Sequence, residues 1–263
     1  MDLRMRFNED VVNYDRYRPT YCRELFEDIF SYAQLPAEAE VLEIGIGTGQ
    51  GTLPFLEHGC RVTAIELGKD LAAYCREKFK AWEGYRVESQ PFEEWQGTNS
   101  PLDQASNQAY DLVYSATAFH WIAPEMGYPK VKGLLKERGC AAFFWNIPVP
   151  ARQEKGLYQE IQGIYEKYRP GSRKDGSWNA PQYSFCREAL EKYGFRDVCG
   201  KVYQASRQFD PQGYIALLNT YSDHRAMAPA NRAALEQDIK EVICRHGGKL
   251  TVYDTMELYL GRK

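Results

Sequence analysis

The chain has 263 residues, 44% of them hydrophobic and 26% charged, with a formal net charge of −3, a composition that supplies a core and excludes disorder as the resting state. An acidic balance argues against a protein whose partner is nucleic acid, because phosphate binding draws on clustered positive charge. Seven cysteines stand singly, with no Cys-x-x-Cys pair, so neither a zinc site nor any other metal is expected. No apolar run reaches the roughly 18 residues that a membrane span needs, and the charged N-terminus is unlike a signal peptide, so the expected setting is cytoplasmic, away from membranes.

Helical spacing over Tyr21–Ala33 (Leu25, Phe26, Ile29, Phe30, Ala33) predicts a first amphipathic helix, opened by "RPT". Strand-like runs then alternate with helical ones: "EVLEI", "CRVTAIEL", a helix over Asp70–Trp82, "YRVES", "YDLVYS", a helix over Pro129–Arg138, and "CAAFFWN". Such alternation implies parallel strands joined by crossovers, hence an α/β, doubly wound sheet covered on both faces. Beyond Asn146 come a helix over Glu154–Tyr168, the polar loop "RPGSRKDGSWNAP", a helix and strand in "CREALEKYGFRDV" and "VCGKVYQASRQF", helices over Pro211–Tyr221 and Pro229–His246, and a last strand in "LTVYDTMELYLGRK". With no linker or repeat between them, a single domain is expected: a helical cap (1–35), a core (36–146), a C-terminal half with inserted helices (147–250) and the last strand (251–263).

Directly after the first strand stands "VLEIGIGTGQGT". A nucleotide P-loop needs Gly-Lys-Ser/Thr at its end, and no lysine is present. The dinucleotide fingerprint G-x-G-x-x-G fits Gly45 and Gly47 and then meets Gln50, so it is incomplete. An acid followed by G-x-G-x-G fits in full as Glu43, Gly45, Gly47 and Gly49, and suits S-adenosylmethionine: glycines clear side chains from the path of its amino acid arm, while Glu43 either orders the loop or meets the ammonium. Glu66, ending the next strand, is placed to accept both ribose hydroxyls, a device that nicotinamide binders share.

On "VLEIGIGTGQGT", "VTAIELGKDL", "PFEEW", "YDLVYSATAFHWI" and the N-terminal "VVNYDRYRPTY", the sequence resembles the class I S-adenosylmethionine-dependent methyltransferases, within them the small-molecule branch called methyltransferase type 11, which includes trans-aconitate methyltransferase-like proteins. The resemblance implies a Rossmann-like, seven-stranded, mostly parallel sheet with a helical cap, a small-molecule substrate and in-line methyl displacement. It places the cofactor against Glu43, Gly45, Gly47, Gly49 and Gln50, with Glu66 on the ribose and Leu67, Pro91 and Phe92 around the adenine. Many relatives carry an aspartate where this chain has Pro91. Ser115 and Ala116 fall beside the sulfonium, and Tyr14 or Arg18 reaches the methionine carboxylate from the N-terminal helix. His120 serves as base, as donor to a substrate oxyanion, or as a structural histidine; with Trp121 and Tyr221 it lines the acceptor pocket. The segment Tyr214–Arg225 is expected to form a lid, where Arg225 with Arg207 would suit a carboxylate. Nothing in the sequence fixes the oligomeric state or the acceptor atom.

Overall fold

The computed structural model of the chain describes residues 10–97, 109–171 and 181–263; part of the polar loop after Tyr168, residues 172–180, lies outside them. Seven strands form one sheet: β1 (Glu40–Ile44), β2 (Arg61–Glu66), β3 (Tyr85–Ser89), β4 (Tyr110–Ala116), β5 (Leu135–Pro150), β6 (Arg196–Phe209) and β7 (Leu250–Arg262), in the order β3-β2-β1-β4-β5-β7-β6. The pairs β1–β2, β2–β3, β1–β4 and β4–β5 are parallel. The near-continuous apolar runs of β1, β2 and β4 are those of strands covered on both faces.

Strand order decides where a ligand can go. From β1 the chain winds outward through β2 to β3, then returns to the opposite side of β1 as β4. Adjacent crossovers therefore leave β1 and β4 in opposite directions, the arrangement in which open α/β sheets bind their ligands at the carboxyl ends of the strands. Glu43 and Ile44 end one of these strands; Ser115 and Ala116 end the other.

The chain divides into two compact units. One comprises 20–146, 182–203 and 256–263, and its core includes the fully buried Trp95, Phe143 and Trp145. The other comprises 1–19, 147–181 and 204–255; its core draws on helices Lys155–Tyr168, Pro211–Leu218 and Pro229–Arg245 through Leu157, Ile161, Leu217, Leu235, Ile239 and Ile243.

Several boundaries differ from the sequence expectation, and the helix expected over Asp70–Trp82 runs Lys69–Lys78. The helix before β5 runs Pro124–Leu134, beginning five residues before the expected start: Pro124 occupies its first turn with Glu125, where proline lacks no needed donor, and Pro129 lies inside. Strand β5 begins at Leu135 and not near Cys140, its charged "KER" start being hidden by a kink in which Arg138 has φ +69° and the register with β4 shifts. The expected helix over Pro211–Tyr221 ends at Leu218, and a short turn of helix, Ser222–Arg225, follows the extended Tyr221.

Candidate functional site

The turn after β1 is held by its glycines. Gly45, Gly47 and Gly49 adopt φ of +75°, +59° and +84°, a region closed to most side chains. Packing adds a second demand: a Cβ on Gly45 would sit 2.5 Å from the Ala118 Cβ, and one on Gly49 would sit 2.4 Å from Phe79. At these two positions the missing side chain makes room for protein. Carbonyls of the loop are tied from helix Lys69–Lys78: the Cys75 thiol donates to Gly47 O at 3.3 Å and the Lys78 ammonium to Thr48 O at 2.9 Å. The Gln50 amide donates to the Thr48 hydroxyl at 2.6 Å.

Glu43 lies wholly buried beneath this loop. The Thr52 hydroxyl donates to its Oε2 at 2.7 Å, whereas Oε1 accepts no hydrogen bond, with the Tyr114 ring next to it across the β1–β4 pairing. Desolvation pushes the Glu43 carboxyl up to about 7, against the opposing pull of the Thr52 hydroxyl and of the nearby Tyr114 hydroxyl. A buried acceptor left open in this way is costly and calls for a donor or a cation.

Glu66 splints the loop to the next turn. Gly47 N–H donates to Oε2 at 2.9 Å and Gly68 N–H to Oε1 at 2.8 Å. Burial raises its pKa, and these backbone N–H groups oppose the rise. Each carboxylate oxygen keeps a lone pair for a further donor. Leu67 follows it, half-buried.

On the opposite side of β1, Ser115 is fully buried and its hydroxyl donates to Ile44 O at 2.7 Å, pinning β4 to β1. The Ala116 Cβ faces Gly51, where an added Cβ would lie 3.3 Å away. Thr117 then takes φ +55°, an unusual angle for a β-branched residue, held because its Oγ1 bonds the Tyr21 hydroxyl at 2.6 Å and accepts from Asn146 N at 3.2 Å. The segment after β3 places Pro91 half-buried and Phe92 in the core at 4% exposure, its ring against Trp95. Lys130 secures that segment by donating to Phe92 O at 2.6 Å and to Trp95 O, with its ammonium 4.8 Å from the Phe92 ring.

His120 sits in the 3₁₀ turn Phe119–Trp121, directly after the Ala118 that meets Gly45. His120 is an exposed residue, and the Trp145 indole N–H donates to its Nδ1 at 3.0 Å. Trp121 is 38% exposed beside it, at 5.2 Å between rings.

Tyr14, Arg18 and Tyr221 come together in the other unit. Helix Val11–Tyr17 ends just before Arg18, whose guanidinium lies 4.8 Å from the Tyr14 ring and 4.4 Å from that of Tyr221, and donates to Thr220 O at 2.9 Å. The expected carboxylate pair is otherwise engaged: Arg207 binds Asp254 through two bonds of 2.6 and 3.0 Å, and Arg225 meets Asp10 at 3.3 Å. Among the described residues no group of acidic, histidine or cysteine side chains is arranged for a metal ion, and no helix is long and apolar enough to cross a membrane.

Sequence reasoning passed over Thr52, Trp145 and Lys130. Thr52 carried a signal, a hydroxyl closing the glycine run; the other two act on partners 25 and 38 residues away, which no local spacing shows.

Residues 41–139 match the family model described as a methyltransferase domain. The chain is 21% identical over 241 residues to an uncharacterized methyltransferase of Schizosaccharomyces pombe, covering 90% of this chain and 86% of that one. It is 29% identical over 146 residues to an uncharacterized methyltransferase of Mycobacterium tuberculosis, covering 55% and 54% of the two chains. Among solved structures, the fold is similar to phosphoethanolamine N-methyltransferase 2 of Haemonchus contortus, with a TM-score of 0.55, 13% identity, and coverage of 100% of this chain and 60% of that one. The glycine turn with its buried acid and the acid ending β2 both fall within the segment that matches the methyltransferase domain.

Proposed function

We propose that the protein transfers the methyl group of S-adenosylmethionine to a small-molecule acceptor by in-line displacement, at the carboxyl ends of β1 and β4. The observation that carries this is the open Oε1 of buried Glu43 beneath three positive-φ glycines. An unpaired buried acceptor under a ligand-width turn suits the ammonium of an amino acid, directly or through water, and does not suit a pyrophosphate. The spare lone pairs of Glu66 suit a pair of ribose hydroxyls, with Leu67, Pro91 and Phe92 toward the base.

When bound, the cofactor supplies a methyl group on a sulfonium, already an excellent leaving group. Residues of the chain are then asked for alignment and exclusion of water more than for covalent chemistry. Ser115 and Thr117 hold the β4 tip in one conformation through Ile44 O, Tyr21 and Asn146, so the ends of β1 and β4 are preorganised before any ligand arrives. His120 and Trp121 line the approach of the acceptor.

The test is transfer of labelled methyl from S-adenosylmethionine into a panel of metabolites. A labelled small-molecule product, absent with Glu66→Ala, is expected. Hydride exchange with a nicotinamide nucleotide, with no methyl product from any acceptor, would contradict the proposal.

A further inference from the structure

We propose that Trp145 is a positioning residue which locks His120 in its Nε2–H form, so that His120 presents a hydrogen-bond donor to an oxygen of the acceptor and does not act as its base. This rests on the methyl-transfer reading above for the identity of the step, though the lock itself is a property of the protein alone.

The indole nitrogen can only donate. With Trp145 Nε1–H directed at His120 Nδ1 over 3.0 Å, Nδ1 must keep its lone pair, and a neutral imidazole then carries its proton on Nε2. Adding a proton at Nδ1 would set two N–H groups against each other. The nitrogen that a base would use is therefore occupied, and the nitrogen left over already holds a proton.

The indole has little freedom to turn away. Trp145 is 1% exposed, stacks on Tyr183 at 4.4 Å and 7°, and meets the Tyr259 ring edge-on at 6.2 Å. Tyr183 is fixed in turn: its backbone N–H donates at 2.9 Å to buried Glu257, which also accepts from Gln182 N–H at 2.7 Å and from the Tyr259 hydroxyl at 2.9 Å. A carboxylate at 1% exposure thus serves as the anchor of an aromatic clamp whose last member is His120.

Nε2 of His120 bonds no protein group among the described residues, and the residue is exposed. Packing of rings around the imidazole holds its pKa below the usual histidine value by desolvation, consistent with a neutral ring at pH 7. The turn that carries it follows immediately on the contact between Ala118 and Gly45, at the carboxyl end of β4. A neutral donor there selects acceptors that offer an oxygen to Nε2–H and that are nucleophilic without losing a proton to this histidine.

The experiment is a long-range proton–nitrogen spectrum of the protein labelled with ¹⁵N-histidine, with the His120 signals assigned by their loss in His120→Asn. A pyridine-like Nδ1 and a pyrrole-like Nε2 across pH 6–8 are expected, and Trp145→Phe should yield mixed tautomers and a pKa closer to that of free histidine. An Nδ1–H tautomer or an imidazolium at pH 7 overturns the proposal, and so does a Trp145→Phe spectrum unchanged from wild type. If Trp145→Phe does not fold, the wild-type spectrum still decides. With an acceptor from the labelled-methyl panel, His120→Gln, whose amide donor reaches the Nε2 position, should keep kcat/KM within about tenfold, and His120→Asn should lose about a hundredfold. Equal loss in both overturns the donor role. Calorimetry of the wild type with S-adenosylhomocysteine separates the two claims: absence of binding strikes the methyl-transfer reading and leaves the tautomer result standing.

Discussion

Glu43→Gln should make the protein more stable at alkaline pH while weakening its hold on cofactor. The carboxyl is fully buried, and desolvation raises its pKa from 4.5 to about 7. A rise of about 2.5 corresponds to about 3 kcal/mol. Because the folded state binds this proton more tightly than the unfolded chain, the sign is destabilising: stability falls as pH rises from 4.5 through 7, and the full cost applies above that window. Glutamine keeps an oxygen for the Thr52 hydroxyl, which now donates at 2.7 Å, but leaves its NH2 where Oε1 has no partner, at a cost of about 1 kcal/mol. The net gain at pH 8.5 is then about 2 kcal/mol; it vanishes at about pH 5 and becomes a loss of about 0.5 kcal/mol at pH 4.5. Urea unfolding of both proteins at the two pH values measures it. A variant less stable at both, or a difference that does not change with pH, would refute the reasoning. A gain in stability joined to weaker S-adenosylhomocysteine binding would mark Glu43 as a residue kept for its charge.

Glu66→Gln puts an amide NH2 against Gly47 N–H or Gly68 N–H, each now donating at under 3 Å, so it should loosen the loop and weaken cofactor binding by about 1.5–3 kcal/mol; calorimetry with unchanged affinity would exclude the splint. Gly45→Ala combines φ +75° with a Cβ 2.5 Å from Ala118 and should cost about 2–3 kcal/mol in a thermal melt, even without ligand; an unchanged melting temperature would return the glycine to a ligand-only role. His224, 4% exposed, has its pKa lowered to about 4 by desolvation, so the unfolded chain takes up its proton first: about 3 kcal/mol of stability present above pH 6.5 is lost as pH falls toward 4. His224→Gln should flatten that acid limb of the stability curve, and an identical limb would place the titration elsewhere.

The strands and the turn were legible because their signals are local. Alternating apolar runs marked all seven strands, and "EIGIGTGQG" declared a backbone that must pass through positive φ. Boundaries slipped where a charged stretch entered a strand: Lys136 to Arg138 read as the end of the preceding helix, and only pairing with β4 and Arg138 at φ +69° make them part of β5. At the site, the acids and glycines were found, but what they touch was not. Glu66 was expected to face a ribose and is also bonded to the loop; Ser115 was expected near the sulfonium and is bonded to Ile44 O. Such contacts depend on chain separations of 19 and 71 residues, beyond the reach of any spacing rule. The aromatic clamp on His120 was invisible for the same reason, since Trp145 and Tyr183 read as ordinary core residues.

The most direct measurement is calorimetric titration of the wild-type protein and of Gly47→Val with S-adenosylhomocysteine, with a nicotinamide dinucleotide as control. Gly47 stands at φ +59° and its N–H is bonded to Glu66, so valine both opposes the backbone angle and crowds the turn. Saturable binding of S-adenosylhomocysteine to the wild type, none to a folded Gly47→Val, and none of the dinucleotide to either is the predicted result. Wild-type protein that ignores S-adenosylhomocysteine, or a folded Gly47→Val that binds it equally well, would contradict the assignment of the cofactor to this loop.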